Sequence, residues 1–229
     1  MSDQPSSFLR AEHVKKQVTS NENTITILQD INLTINLGDT LAILGASGSG
    51  KTTLLTLLAG LDLPTAGDIY LQQHHLNQLN EDQRAALRLR QIGFIFQSFL
   101  LLPTLTALEN TMLPLEIAGM SYQQAKEQAI YWLEKVKLQH RLHHYPTKLS
   151  GGEQQRVAIA RAFVSMPAVI FADEMTGNLD THTGEFIMDL LFSLNQQQKT
   201  TLVIVTHDSE MATRCQRRML LQEGTLQPC

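Results

Sequence analysis

The segment GASGSGKT at residues 45–52 constrains the fold more than any other part of this sequence. It fits the pattern G-x-x-x-x-G-K-[ST], in which glycines let the backbone turn tightly and point successive N–H groups at phosphate oxygens. The apolar segment TLAIL precedes it, and the helical pattern TTLLTLLAG begins within it. A strand, a glycine loop and a helix in this order predict a phosphate-binding loop at a helix N-terminus, where the helix dipole favours anions.

Two side chains of this loop have specific candidate roles. Lys51 would place a positive charge on the β- and γ-phosphates of a nucleotide, and the Thr52 hydroxyl would be a ligand of Mg²⁺. The alternative, a glycine-rich turn that fits the pattern by chance, is disfavoured by the flanking strand and helix. The candidate nucleotide-binding residues of the loop are Gly45, Ala46, Ser47, Gly48, Ser49, Gly50, Lys51, Thr52 and Thr53.

The order of the predicted elements indicates an α/β fold. After Ser150, helical patterns alternate with short apolar strands, which favours a parallel sheet. Residues 8–43 contain the stretches ITIL, INLTINL and TLAIL, which predict a small antiparallel sheet leading into a core strand. Residues 98–148 have helical periodicity and no convincing strand. We therefore predict a parallel sheet core with an N-terminal antiparallel β subdomain and an inserted α-helical subdomain.

We expect a single domain over residues 1–229. Within it, residues 8–97 and 163–229 would form the core with the β subdomain, and residues 98–162 would form the helical subdomain.

Composition and charge exclude several classes of protein. The chain is 43% hydrophobic and 17% charged, as expected of a globular protein, and its net charge of −4 argues against a nucleic-acid partner. The two cysteines, Cys215 and Cys229, do not resemble a disulfide framework. The first residues lack the apolar core of a secretory signal, and no stretch approaches the ~20 apolar residues of a membrane span. We expect a cytosolic protein, and at a membrane another polypeptide would do the crossing.

A second candidate site lies at the end of the apolar segment VIFADE, which ends in Asp173 and Glu174. Ligands of open α/β sheets bind at the carboxyl ends of strands, which is where these two acids are predicted to lie. One acid could hold Mg²⁺ and the other could polarise a water molecule that attacks the γ-phosphate. The alternative is a strand end with two solvated acids, and the intact phosphate loop makes it the weaker interpretation.

The stretch LSGGEQQRVAIARA at residues 149–162 predicts a third site. Ser150, Gly151 and Gly152 begin a helix and could offer a hydroxyl and backbone N–H groups to an anion. One triphosphate does not need two such sites within one subunit, so we infer that a partner subunit supplies one of them. The alternative is an ordinary helix N-cap.

With these motifs the sequence resembles the ATP-binding subunit of an ABC transporter over essentially its whole length. Other motifs of that family follow in order: FIFQSF with the Q-loop glutamine Gln97, GNLD ending at Asp180, and IVTHD with the switch histidine His207. The stretches FQSFLLLPTLTALEN and DLLFSLN are similar to the LolD-like and MacB-like subgroup, and among these to YbbA-type ATPases. The resemblance implies the phosphate-loop, RecA-like form of the predicted core.

The resemblance also implies a mechanism. Two copies would face each other head to tail, with ATP between the phosphate loop of one and Ser150–Gly152 of the other. Glu174 would be the general base, His207 would contact the γ-phosphate, and Asp180 would bridge the dimer. The implied catalytic residues are Glu174, His207, Lys51 and Gln97, the Mg²⁺ ligands are Thr52, Gln97 and Asp173, and the nucleotide contacts include Ser150, Gly151, Gly152, Glu153 and Asp180.

The implied partner is a multi-span permease of the FtsX, MacB or LolC type. The subunit would be cytoplasmic and peripheral on the inner face of the cytoplasmic membrane, and it would drive export, extraction of hydrophobic molecules or mechanotransmission. An FtsE-like ATPase that signals across the membrane without transport is the alternative. The partner would dock near residues 97–120, where Leu100, Leu101 and Leu102 form either part of the groove or the core of the subdomain.

Two positions depart from the family pattern. Val18 stands where many relatives have an aromatic residue that stacks on adenine, which could relax the preference for ATP over GTP. Met175 stands where the family usually has proline. Because proline fixes φ, we expect methionine to loosen the backbone after Glu174 at a cost of about 0.4–1 kcal/mol, with a modest effect on turnover.

Overall fold

A computed structural model describes residues 7–20 and 23–229. The strands are β1 Leu9–Ser20, β2 Asn23–Ile35, β3 Thr40–Leu44, β4 Ala66–Leu71, β5 His74–His75, β6 Ile92–Ile95, β7 Val169–Asp173, β8 Thr201–Thr206, β9 Arg217–Gln222 and β10 Thr225–Pro228. The helices are α1 Lys51–Leu58, α2 Glu81–Gln91, α3 Ala107–Ile117, α4 Tyr122–Lys135, α5 Gly151–Phe163, α6 Thr181–Gln198 and α7 Ser209–Thr213. The chain divides into two compact units, of which the second comprises Leu89–Thr200 and the first the remainder.

An antiparallel sheet of order β2-β1-β4-β5 lies in the first unit. The second half of β2 alternates between exposed and buried positions, and Leu28, Ile31, Leu33 and Ile35 are buried. This period of two places the apolar side chains of the strand on one face of the sheet. The stretches ITIL and INLTI, which the sequence suggested as separate, belong to one long strand that pairs with β1 from Leu9 opposite Ile35 to Val18 opposite Ile25.

A group of parallel strands lies in the same unit, with β3 between β8 and β9 and parallel to both. The first four residues of β3 and all six of β8 are buried. Strands that are covered on both faces carry continuous apolar runs, as TLAIL and TLVIV do. The terminal hairpin of β9 and β10 completes this group.

The second unit contains the parallel pair β6 and β7 and the helices α3 to α6. The first four residues of β7 are buried, and Asp173 at its end is partly exposed. Trp132 of α4 stacks on Phe163 of α5 with the ring centroids 5.4 Å apart, which anchors the helices on each other. No helix of the described residues is long and apolar enough to cross a membrane.

These observations confirm the predicted fold class. The molecule has an antiparallel β subdomain, a core with parallel strands and helices, and a helical region between β6 and β7. Asn80 caps α2, since its Oδ1 accepts a hydrogen bond from the Gln83 N–H at 2.9 Å.

Candidate nucleotide-binding and hydrolysis site

The phosphate loop connects β3 to α1 in the first unit. Gly50 caps α1 with φ of 98°, a left-handed conformation that favours glycine. A Cβ atom at Gly45 would lie 2.6 Å from Ser49 Oγ and 2.7 Å from the Leu221 carbonyl oxygen, so only glycine fits the first position of the loop. The loop therefore has the tight curvature that the sequence predicted.

Lys51 folds back over this loop and is only 5% exposed. Its Nζ donates hydrogen bonds to the carbonyl oxygens of Gly45 at 2.9 Å and Ala46 at 3.0 Å. The ammonium group is thus held at the loop, where a phosphate oxygen would compete with these carbonyls for it. The Ser49 hydroxyl is buried and has no hydrogen-bond partner within the described residues, which leaves its O–H available to an anion.

The structure places His207 at the same edge of the sheet as the phosphate loop. In the parallel pair of β3 and β8, Leu44 lies opposite Thr206, so Gly45 and His207 follow neighbouring strands at matching positions. The turn after His207 is fixed by Asp208, whose Oδ1 accepts from the Glu210 N–H at 2.8 Å and caps α7. The His207 side chain is exposed.

Gln97 and Glu174 form a comparable pair in the second unit. Ile95 of β6 lies opposite Ala172 of β7, and each candidate residue lies two positions after the paired residue of its own strand. The Gln97 side chain lies close to the turn after Glu174, because a Cβ at Gly177 would be 2.8 Å from Gln97 Nε2. The two strand ends therefore present an amide and two carboxylates at one sheet edge.

The turn after the carboxylates begins with an unusual backbone conformation. Glu174 has φ of 42°, which is uncommon for a residue other than glycine, and its carbonyl oxygen accepts from the Gly177 N–H at 3.0 Å. Asn178 Nδ2 donates to the Gln97 carbonyl oxygen at 2.9 Å and so connects the end of this turn to the segment that follows β6.

Met175 is 1% exposed in this turn. The sequence predicted an effect of Met175 on backbone stiffness alone. The structure adds a packing role, because the side chain is part of the buried core. No signal in the sequence separated these roles, since the position follows a strand and precedes a turn.

The segment LSGGEQQR at residues 149–156, the signature segment, caps α5 with a reciprocal pair of hydrogen bonds. Ser150 Oγ accepts from the Glu153 N–H at 3.3 Å, and Glu153 Oε2 accepts from the Ser150 N–H at 2.8 Å. Arg141 Nε donates to Glu153 Oε1 at 2.8 Å. Burial raises the pKa of Glu153, but the Ser150 N–H and the Arg141 guanidinium outweigh it and hold that pKa below its usual value.

The signature segment and the Asp180 loop line one cavity of about 440 Å³ in the second unit. Asp180 caps α6, since its Oδ1 accepts from the Thr183 N–H at 3.0 Å. A Cβ at Gly152 would lie 2.5 Å from Thr183 Cγ2, so only glycine lets the N-termini of α5 and α6 come this close. Both helix starts line this cavity, and helix N-termini favour anions, which makes the cavity suited to an anion.

Arg141 and Asn178 were missed by the sequence interpretation. Arg141 lies in a polar stretch, QHRLHH, without a recognisable motif, and its contact with Glu153 depends on how the preceding loop packs. Asn178 belongs to the GNLD segment, but its bond to Gln97 spans 81 positions of sequence.

The comparison with known proteins assigns this combination of fold and motifs to a class. Residues 28–177 match the family model for the ABC transporter domain. The chain therefore belongs to the ABC transporter family and is one of its ATP-binding cassettes. Members of this class hydrolyse ATP, and the chain is an ATPase.

Named relatives cover almost the whole chain. It is 50% identical over 220 residues to the uncharacterized ABC transporter ATP-binding protein YbbA of Escherichia coli strain K12, with 96% of each chain covered. It is 49% identical over 219 residues to the lipoprotein-releasing system ATP-binding protein LolD of Legionella pneumophila strain Lens, again with 96% of each covered. These similarities confirm the predicted resemblance to the YbbA and LolD types.

A solved structure supports the same assignment. The ATP-binding cassette MJ0796, a dimer in a post-hydrolysis state bound to ADP and Pi, has a TM-score of 0.88 and 41% identity, covering 95% of this chain and 96% of that one.

Proposed function

We propose that two copies of this chain bind ATP between them and drive a multi-span membrane permease. The observation that carries the proposal is the presence of two anion-suited helix starts in one chain, the phosphate loop at α1 and the signature segment at α5. One triphosphate does not need two such sites within one subunit. Each ATP would therefore bind the phosphate loop of one copy and the signature segment of the other copy. The dimeric state of the MJ0796 cassette supports this arrangement.

The phosphate loop is the proposed site of the triphosphate. Its N–H groups, the Ser49 hydroxyl and the Lys51 ammonium would bind the β- and γ-phosphates, since Lys51 is already held over the loop. His207 would contact the γ-phosphate, because it follows the strand next to the loop at a matching position.

We assign the water-activating role to Glu174. Among the described residues there is no cluster of three or more His, Cys, Asp or Glu side chains that could hold a metal by themselves. We propose Thr52, Gln97 and Asp173 as its Mg²⁺ ligands, because each carries an oxygen donor of the kind that Mg²⁺ takes together with substrate phosphates. When bound, Mg²⁺ would neutralise charge on the phosphates. Glu174 would then orient the attacking water and accept its proton.

The signature segment and Asp180 would contact the second copy and its nucleotide. The Ser150 hydroxyl keeps its proton for donation, since its oxygen accepts from Glu153. The Glu153 carboxylate is engaged by the Ser150 N–H and Arg141, and its proposed role is therefore to position Ser150 rather than to face the phosphates.

The proposed docking surface for the permease consists of Leu100, Leu102 and the adjoining cavity of about 280 Å³. Leu100 is 53% exposed and Leu102 is 44% exposed, which favours docking over a role in the core of the subdomain. The wall of the cavity is mostly apolar, with Phe94, Phe96 and Pro114 in it, and Arg161 also lines it. An amphipathic cytoplasmic helix of the permease fits such a groove and would hold the subunit at the inner face of the membrane.

Dimerisation is tested by trapping the ATP-bound state. We expect Glu174→Gln to elute as a dimer in Mg·ATP and as a monomer in Mg·ADP, measured by size-exclusion chromatography with light scattering. Glu185→Gln, an exposed acid on α6, is the matched control and should hydrolyse ATP as the wild type does. A Glu174→Gln protein that hydrolyses ATP normally or stays monomeric in ATP would contradict the proposal.

Docking is tested separately in membranes of the native host. Leu102→Asp should form the ATP dimer in solution but move from the membrane fraction to the soluble fraction. Leu37→Asp, at a leucine of the first unit that is 66% exposed, is the control and should stay with the membrane. Retention of Leu102→Asp at the membrane would refute this docking surface.

A further inference from the structure

The turn before and at the proposed docking residues Leu100 and Leu102 has a backbone conformation that must be stabilised by contacts with other segments. Phe99 and Leu100 have φ of 59° and 47°, so two successive residues with side chains adopt the left-handed conformation. Such residues favour other conformations and persist only where the surrounding structure holds them. Within the turn, the Phe99 N–H donates to the Phe96 oxygen at 3.1 Å and the Leu100 N–H donates to the Ser98 oxygen at 2.6 Å, and neither bond uses the carbonyl of Phe99 or Leu100.

Arg161 binds both of these carbonyls. Its Nη1 donates to the Leu100 oxygen at 2.6 Å and its Nη2 donates to the Phe99 oxygen at 2.8 Å. A planar guanidinium presents two parallel donors, which lysine and glutamine cannot do. Arg161 lies near the end of α5, the helix that begins with the signature glycines.

The start of the same helix also lies against this turn. A Cβ at Gly151 would be 3.8 Å from Phe99 Cζ, an ordinary van der Waals distance. Helix α5 therefore binds the turn through Arg161 near its end, and its first residue, Gly151, lies near the Phe99 ring. Displacement of α5 would have to displace Phe99 and Leu100 as well.

A separate anchor holds the next residues. Asn110 of α3 is fully buried, and its Oδ1 accepts from the Leu102 N–H at 2.8 Å. Its Nδ2 lies 3.1 Å from the Leu102 oxygen and 2.9 Å from the Leu105 oxygen. With its backbone held from α5 and α3, the segment exposes Leu100 and Leu102 in a fixed arrangement.

We propose that Arg161 is a positioning residue that ties the turn at 99–102 to the signature helix, so that engagement of ATP at Ser150–Gly152 changes the docking surface directly. This inference rests on the proposed function, in which Ser150–Gly152 contact the nucleotide of the second copy. Helix α5, the Arg161 guanidinium and the turn at 99–102 would then move together. If Arg161 had only a structural role, it would stabilise the fold, but the response of residues 98–102 to ATP would not depend on it.

Amide hydrogen exchange measures this connection without the permease. The experiment uses the full-length Glu174→Gln protein, with and without Mg·ATP, and follows peptides that cover residues 149–156 and 98–102. We expect ATP to slow exchange in both peptides. In Glu174→Gln with Arg161→Gln, ATP should still protect 149–156, whereas 98–102 should exchange about tenfold faster and no longer respond to ATP. Arg90→Gln, at an exposed arginine, should behave as the parent protein.

Arg161→Lys provides a second variant that keeps the charge and should show the same uncoupling, because it reaches only one carbonyl well. The Glu174→Gln protein with Arg161 intact gives a decisive result by itself. If ATP slowed exchange in residues 149–156 but left exchange in residues 98–102 unchanged, the inference would be overturned. Persistence of the response in the Arg161 variants would also overturn it, by showing that dimer contact protects the turn directly. If 149–156 gained no protection from ATP, the proposed dimer would fail and this inference would fall with it.

Discussion

Replacement of Met175 by proline is the most informative perturbation of the carboxylate turn. The sequence suggested that this change would restore a common family residue and alter stability or turnover only modestly. The structure predicts a larger loss of stability, since the Met175 side chain is 1% exposed and the preceding Glu174 has φ of 42°. Proline removes most of the buried side chain and also restricts the residue before it to extended conformations.

The magnitude follows from these two effects. Burial of a methionine side chain contributes about 1.5–3 kcal/mol, of which the smaller proline ring recovers a part. A forced change at Glu174 adds about 1 kcal/mol or more. We expect Met175→Pro to lower the free energy of unfolding by about 3 kcal/mol, which corresponds to a fall in Tm of roughly 9 °C for a chain of this size.

Two companion variants separate the contributions in a thermal unfolding assay. Met175→Leu keeps the buried volume and should cost less than about 1.5 kcal/mol. Met175→Ala removes the packing but places no proline restriction on the Glu174 backbone, so it should lose about 2 kcal/mol or more through lost burial and the cavity left behind. A Met175→Pro protein with a Tm equal to or above that of the wild type would refute the reasoning. ATP turnover should fall with Met175→Pro, because Glu174 would leave its present conformation.

Further predictions concern catalysis, pH and nucleotide choice. Glu174→Gln should reduce steady-state ATP hydrolysis by about 10²–10⁴-fold, and activity within tenfold of the wild type would exclude a general base there. The depressed pKa of Glu153 stabilises the fold above the unfolded pKa, and this contribution is lost as the pH falls through the folded pKa, so urea titrations of Glu153→Gln should show a shallower loss of stability on acidification. Val18 is 46% exposed and has no aromatic ring to stack on a base, so the affinity for GTP should lie within about tenfold of that for ATP. Val18→Tyr should tighten ATP binding about tenfold. Unchanged ATP affinity in Val18→Tyr would show that this position does not contact the base.

The local elements of the site were predictable because their determinants are close together in the sequence. The glycines and Lys51 of the phosphate loop, the acids at the end of β7 and the Ser150–Gly152 helix start each depend on a few neighbouring residues. The alternation of strands and helices similarly depends on hydrophobic periodicity. The proposed roles of these residues remain predictions that the experiments above examine.

The relations among distant segments came only from the tertiary structure. Leu100, Leu101 and Leu102 are equivalent in the sequence, yet Leu100 and Leu102 are exposed while Leu101 is partly buried. The bond from Arg161 to Leu100 spans 61 positions, and no local pattern identifies it.

The fold class, the family and the short motifs could be predicted from the amino-acid sequence, since helix caps, glycine turns and periodic apolar faces are encoded within a few residues. Only the folded chain shows that Met175 is a core side chain, that Arg141 restrains Glu153, and that Arg161 binds the carbonyls of Phe99 and Leu100. Burial and long-range hydrogen bonds are properties of packing, and packing depends on all segments of a unit at once.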